Sequence, residues 1–185
     1  MTTTHTADPR SAQRGLNLLE LIGALALLGA LLVLAPGSYA DWISRQELAN
    51  HTHHFAETLE LARSEAIKHG LRVNVCKSTD GRQCDSGSAW HAGWIMFGDD
   101  NRNGEVDEDE PVFQREGNAP RGVTITQNHP VDDYVSYTSL GHARLLSGAL
   151  QMGTFVVCKS GQNALKVVLA NGGRARIEKT HDRCA

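Results

Sequence analysis

Two arginines separated by one residue, in the string Gly173-Arg174-Ala175-Arg176, stand near the C-terminal end of the 185-residue chain. In an extended strand, residues two apart point to the same side, and each guanidinium is a rigid fork that matches phosphate oxygens. Such a pair can straddle phosphates. Lys179 and Arg183 extend the charge, so that 171–185 holds four basic residues against Glu178 and Asp182. Four phosphate contacts correspond to a slope of about −3 to −4 for log K against log salt. As a bare string, the pair also fits an exposed strand end whose charge discourages edge pairing.

The opposite charge is concentrated elsewhere. Residues 99–110 hold seven acids and one arginine, a local balance of −6 in a chain whose net charge is −3. Asp99, Asn101, Asn103, Gly104, Asp107 and Glu110 fall at positions 1, 3, 5, 6, 9 and 12 of the D-x-[DN]-x-[DN]-G-x5-E calcium-loop pattern. Hard oxygen donors at those spacings suit Ca²⁺. The flanking segments read as strands instead of the two helices of an EF-hand, and Asn103-Gly104 between strands is a hairpin signal by itself. The expectation is a solvated hairpin tip and no cofactor, with calcium as the alternative.

Three further groups could carry chemistry. His51 and His54 are three apart and can share a helix face, with His53 beside them, but no acid or cysteine is placed nearby in sequence to complete a metal site. Cys76, Cys84, Cys158 and Cys184 allow three pairings, and no C-x-x-C spacing points to zinc or a redox dithiol. Glu20 is the one acid in the otherwise uncharged run from Gly15 to Gly37. A carboxylate in hydrocarbon costs about 2.5 to 3.5 kcal/mol even on lenient insertion scales, so it needs a cation. No nucleophile elbow, P-loop or zincin helix is present, and the reading is of a protein that is not an enzyme.

The elements that position these residues follow from periodicity. The apolar stretch from Leu16 to Ala35 is long enough, at about 1.5 Å per residue, to span a hydrocarbon core of about 30 Å. Arg10 and Arg14 precede it and no other basic residue occurs before Arg45, which leaves the leader in the cytoplasm and the body outside it. Beyond Pro36, the residues Leu48, Phe55, Leu59, Ala62 and Ala66 trace one face of an amphipathic helix that Gly70 stops. One helix over about 17–69, kinked at Pro36, is expected. From Leu71 onward the period becomes two, with short strands near 71–75, 94–97, 112–115, 123–127, 134–138, 154–159, 165–170 and 174–177. The fold class is α+β: a long helix and an antiparallel β head. Outside the cytoplasm two structural disulfides are expected. Cys76 with Cys84 would close a short loop, and Cys158 with Cys184 would tie down the basic tail.

The short leader ending Arg14-Gly15, the apolar helix with Glu20 at its fifth position, the phrase ARSEAIKHG and the segment GWIMFGDDNRNGEVDEDEPVF resemble the FimT/GspH branch of type IV minor pilins and type II secretion pseudopilins. The resemblance implies a leader over 1–15 cut between Gly15 and Leu16 by a prepilin peptidase, with an N-methylated Leu16. It implies a transmembrane segment over 16–36, the amphipathic half of the helix over 37–70 and a β head over 71–185. Glu20 would neutralise the α-amine of a neighbouring subunit. The chain would sit in the inner membrane with a periplasmic head and later in an extracellular pilus, with other major and minor pilins as partners. Gly173-Arg174-Ala175-Arg176 resembles the GRxR motif of DNA-binding FimT-like pilins. Arg174 and Arg176, then Lys179 and Arg183, would contact DNA phosphates for uptake in natural transformation. The competing expectation is a purely structural secretion pseudopilin that handles no DNA.

Overall fold

The computed structural model describes residues 17–34 and 36–185. Gly15, Leu16 and the leader therefore lie outside the described residues. The chain divides into two compact units with the boundary between Asp41 and Trp42.

Helix α1, Leu18–Leu34, has 17 residues with Glu20 in its first turn. Leu18, Leu19, Leu21, Ile22, Leu25, Leu27 and Leu28 are between 49% and 78% exposed. A helix apolar all round is a helix to be covered by lipid or by other helices. At 1.5 Å per residue it measures about 25 Å, and among the described residues no helix is long and apolar enough to cross a membrane. The expected span over 16–36 includes Leu16 and Ala35, which lie outside the described residues. Helix α2 is Pro36–His69, and the kink expected at Pro36 adjoins Ala35, which lies outside the described residues.

In the second unit, α2 buries the face read from the sequence: Leu48, Phe55, Leu59, Ala62 and Ala66 are 0–2% exposed. Phe55 meets Trp90, Trp94 and Phe155 edge to face, with centroids 4.8 to 5.4 Å apart. Gly70, at φ +68°, takes the left-handed conformation that ends the helix and donates to the Ala66 carbonyl.

The eight expected strands form, but in two antiparallel sheets. The first contains β1 (Val73–Lys77), β2 (Trp94–Gly98), β3 (Val112–Glu116) and β5 (Tyr134–Tyr137), in the order β3-β2-β1-β5. The second contains β4 (Val123–Gln127), β6 (Gly153–Lys159), β7 (Asn163–Leu169) and β8 (Ala175–Arg183), in the order β4-β6-β7-β8. Strand β8 continues six residues past the expected end at Ile177. Its second half is polar and shows no alternation, and it is held by pairing with β7 from Leu169↔Ala175 to Asn163↔Arg183. Cys158 and Cys184 form a disulfide just beyond it, and Cys76 pairs with Cys84.

Candidate nucleic-acid interface

The basic string begins in the β7–β8 turn. Ala170 donates to the Arg174 carbonyl and Gly173 to the Ala170 carbonyl, which closes the turn with Gly173 at φ +82°. Gly173 is buried, and a Cβ there would collide with the Gly141 carbonyl and crowd Tyr137 and Ala143. Only glycine combines that dihedral with that close approach. Two residues on, the Ala175 N–H donates to Glu60 Oε1 on α2 at 2.6 Å. Arg63 on the same helix donates to the Gly141 carbonyl at 2.9 Å and lies 3.9 Å from Glu60. The glycine and the alanine are thus fastened inward, and Arg174 and Arg176 are exposed. Beneath them Tyr137 is buried, which raises its hydroxyl pKa well above the ordinary value, with Glu60 adding to the rise and Arg63 opposing it.

The structure does not gather the four basic residues into one cluster. Arg176 pairs with Glu178 on the same strand face, Nε to Oε1 at 2.8 Å. Lys166 on β7, opposite Glu178, reaches Asp182 at 3.5 Å. This outer face is a mosaic of both signs. Lys179 belongs by register to the opposite face, with Ala175 and Ile177, which pack toward the core. Arg183 is at the far end of β8, about 30 Å from Arg174 at roughly 3.3 Å per residue. Arg174, Lys179 and Arg183 have no ion pair among the described residues. Sequence reading missed Glu60, because its contact with Ala175 spans 115 positions and leaves no local signal.

The histidines and the acidic loop are separate from this interface. His54 Nε2 meets Glu116 Oε2 of β3 at 2.7 Å, so the acid missing from the local sequence arrives from the sheet. His51 is buried against Trp94, which lowers its pKa, and His54 and His91 lower it further while Glu116 opposes them. His53 is exposed. Among the described residues no group of three or more His, Cys, Asp or Glu side chains is arranged to hold a metal. The segment 99–111 connects β2 to β3 as a long loop. Strands β2 and β3 pair antiparallel on either side of it, so Asn103-Gly104 lies in the long loop of a hairpin.

A helix whose apolar face covers two antiparallel sheets defines a pilin-like α+β fold. Two solved structures share this fold. The type IV minor pilin FimU of Pseudomonas aeruginosa matches with a TM-score of 0.55 and 17% identity, over 76% of this chain and 98% of FimU. The minor pseudopilin EpsH from the type 2 secretion system of Vibrio cholerae matches with a TM-score of 0.50 and 16% identity, over 74% of this chain and 99% of EpsH. A comparison with curated proteins finds no match. The family model of the type II transport protein GspH matches residues 51–173, and the chain belongs to that family. Membership of this family makes it a structural subunit and not an enzyme.

Proposed function

We propose that this chain is a minor pilin that enters a type IV filament and holds DNA through phosphate contacts of Arg174 and Arg176. The observation that supports the reading is the alternation along the string: Gly173 and Ala175 are tied inward while the two arginines are left outward on a fixed backbone. Guanidinium forks on a fixed backbone give affinity without sequence preference, which suits uptake of unselected DNA. Assembly follows the expected route. A prepilin peptidase cuts between Gly15 and Leu16, and Glu20 neutralises the new α-amine of a neighbouring subunit. Before that, the apolar helix holds the chain in the inner membrane with its head in the periplasm.

A second reading, a secretion pseudopilin without DNA contact, is favoured by one observation: the Arg176–Glu178 pair already offsets half of the arginine charge. Deleting the gene and scoring transformation and protein secretion separately distinguishes the two. Loss of transformation with secretion intact, restored by the wild-type gene but not by an Arg174→Ala/Arg176→Ala copy, supports the first. Loss of secretion alone overturns it in favour of the second.

A further inference from the structure

Asp99 is fully buried at the root of the acidic loop. Its Oδ2 accepts from Asn74 Nδ2 at 2.6 Å, its Oδ1 has no hydrogen-bond partner among the described residues, and Asn74 Oδ1, 1% exposed as a residue, has none either. Arg72 lies near enough for Asp99 to raise its pKa against the lowering effect of burial. Its guanidinium is nevertheless directed to Ser136 Oγ and the Arg144 carbonyl, at 2.6 and 3.1 Å, and makes no ion pair with Asp99. A buried carboxylate is costly unless it is paired or coordinates a metal. Two acceptor oxygens without a donor at one place are groups that a bound cation can satisfy beside the charge of Arg72.

Strand alternation sets the side on which these oxygens sit. Asp99 follows Ile95 and Phe97 at a spacing of two, and Phe97 pairs with Asn74, so all of them share the sheet face away from α2. That face carries a small apolar cluster of Cys76, Ile95 and Phe97, on which Val106 from the middle of the acidic loop packs beside Cys84. Cys84 Sγ lies 3.7 Å from the Gly104 carbonyl oxygen. The loop is therefore drawn down onto the sheet face that Asp99 shares.

The loop's other side chains gather on Asp107, and the Asn101 and Asn103 side-chain carbonyl oxygens accept from the N–H groups of Asn103 and Glu105 at 2.9 and 2.7 Å. Asn101 and Asn103 both bring their side-chain amides to Asp107 Oδ2, at 2.7 and 2.9 Å. Glu110 folds back to accept from the N–H groups of Asp100 and Asp107, at 2.9 and 3.4 Å, which joins the two ends of the loop. Gly104, at the sixth position, has φ +78°, the sharp turn that such loops require there. We propose that this loop binds one Ca²⁺ through Asp99, Asn101, Asn103, Asp107 and Glu110. Asparagine carbonyls supply part of the ligand set, so the site does not depend on three clustered acids. Oxygen donors of this number and flexibility suit Ca²⁺ and not the smaller, octahedral Mg²⁺.

The test is calorimetric titration of chelator-stripped full-length protein in neutral detergent with CaCl₂, and separately with MgCl₂. The expected result is one Ca²⁺ per chain, with Kd of about 10⁻⁴ to 10⁻³ M as in extracellular modules, and a rise in thermal midpoint on adding calcium. Glu110→Gln and Asp107→Asn, at half-buried loop positions, are each expected to weaken binding at least about tenfold while leaving the far-ultraviolet spectrum unchanged. No heat at 10 mM CaCl₂ (about ten times the weaker Kd), binding unaffected by both substitutions, or equal affinity for Mg²⁺ would each overturn the proposal.

Discussion

Glu60 and Ala175 are 115 positions apart and are joined by one hydrogen bond, in which the Ala175 N–H donates to Glu60 Oε1 at 2.6 Å. The bond fixes the backbone between the two exposed arginines to the helix that carries the head's core face. Glu60→Ala removes the acceptor and leaves a half-buried N–H unsatisfied, which is expected to cost about 1 to 2 kcal/mol of stability. Chemical denaturation of parent and variant measures it. An unchanged midpoint would show that the contact does not order the string.

The Arg176–Glu178 pair makes a directional prediction for DNA binding. Both side chains are exposed, at 59% and 44%, so the pair contributes little to stability, about 1 kcal/mol at most. Glu178→Gln frees Arg176 for a phosphate and removes a like-charge repulsion. Affinity for duplex DNA is expected to rise by up to about fivefold at low salt, with the folding midpoint nearly unchanged. Fluorescence anisotropy with a labelled duplex reads both the gain and its disappearance in high salt.

His51 predicts how stability responds to pH. Burial lowers its pKa below 6.5, so the folded protein prefers the neutral ring and the unfolded chain binds the proton more readily. The contribution is fully present above the unfolded pKa and is lost as pH falls through 6.5 toward the lowered folded value. Thermal midpoints recorded between pH 8 and pH 5 (about 1.5 units either side of the free histidine pKa) should therefore fall on the acid side. A His51→Gln variant should show a flatter profile over the same range.

The two disulfides differ in what they hold. Cys158–Cys184 closes a separation of 26 residues and Cys76–Cys84 one of 8. The loop-entropy relation gives about 3.5 and 2.5 kcal/mol respectively. A Cys158→Ser/Cys184→Ser variant should lose the larger amount and show fast amide exchange along the second half of β8. A variant lacking only Cys76 and Cys84 should leave that strand protected.

Much of this architecture was legible because it rests on local periodicity. The spacing of Leu48, Phe55, Leu59, Ala62 and Ala66 identified the buried face of α2, and Gly70 marked its end. The eight strands were visible as apolar alternation or short apolar runs, but their division into two sheets was not, since pairing partners leave no mark within a strand. The second half of β8 escaped notice because Glu178 to Arg183 is polar and extended only through its pairing with β7. That Arg174 and Arg176 share one side of the strand followed from their spacing. Their fastening by Gly173 against Gly141 and by Glu60 did not, nor did the placement of Lys179 on the other face, because each depends on residues brought together by the tertiary fold.

The central claim is that Arg174 and Arg176 form the contact with DNA. Its most direct test is anisotropy of full-length protein in neutral detergent with a labelled duplex across a salt series, for the parent and for Arg174→Ala/Arg176→Ala. The account predicts a slope of log K against log salt of about −2 for the parent, and for the double variant a loss of affinity together with a slope near zero. A double variant that binds duplex DNA with the parent's affinity and the parent's slope would contradict it.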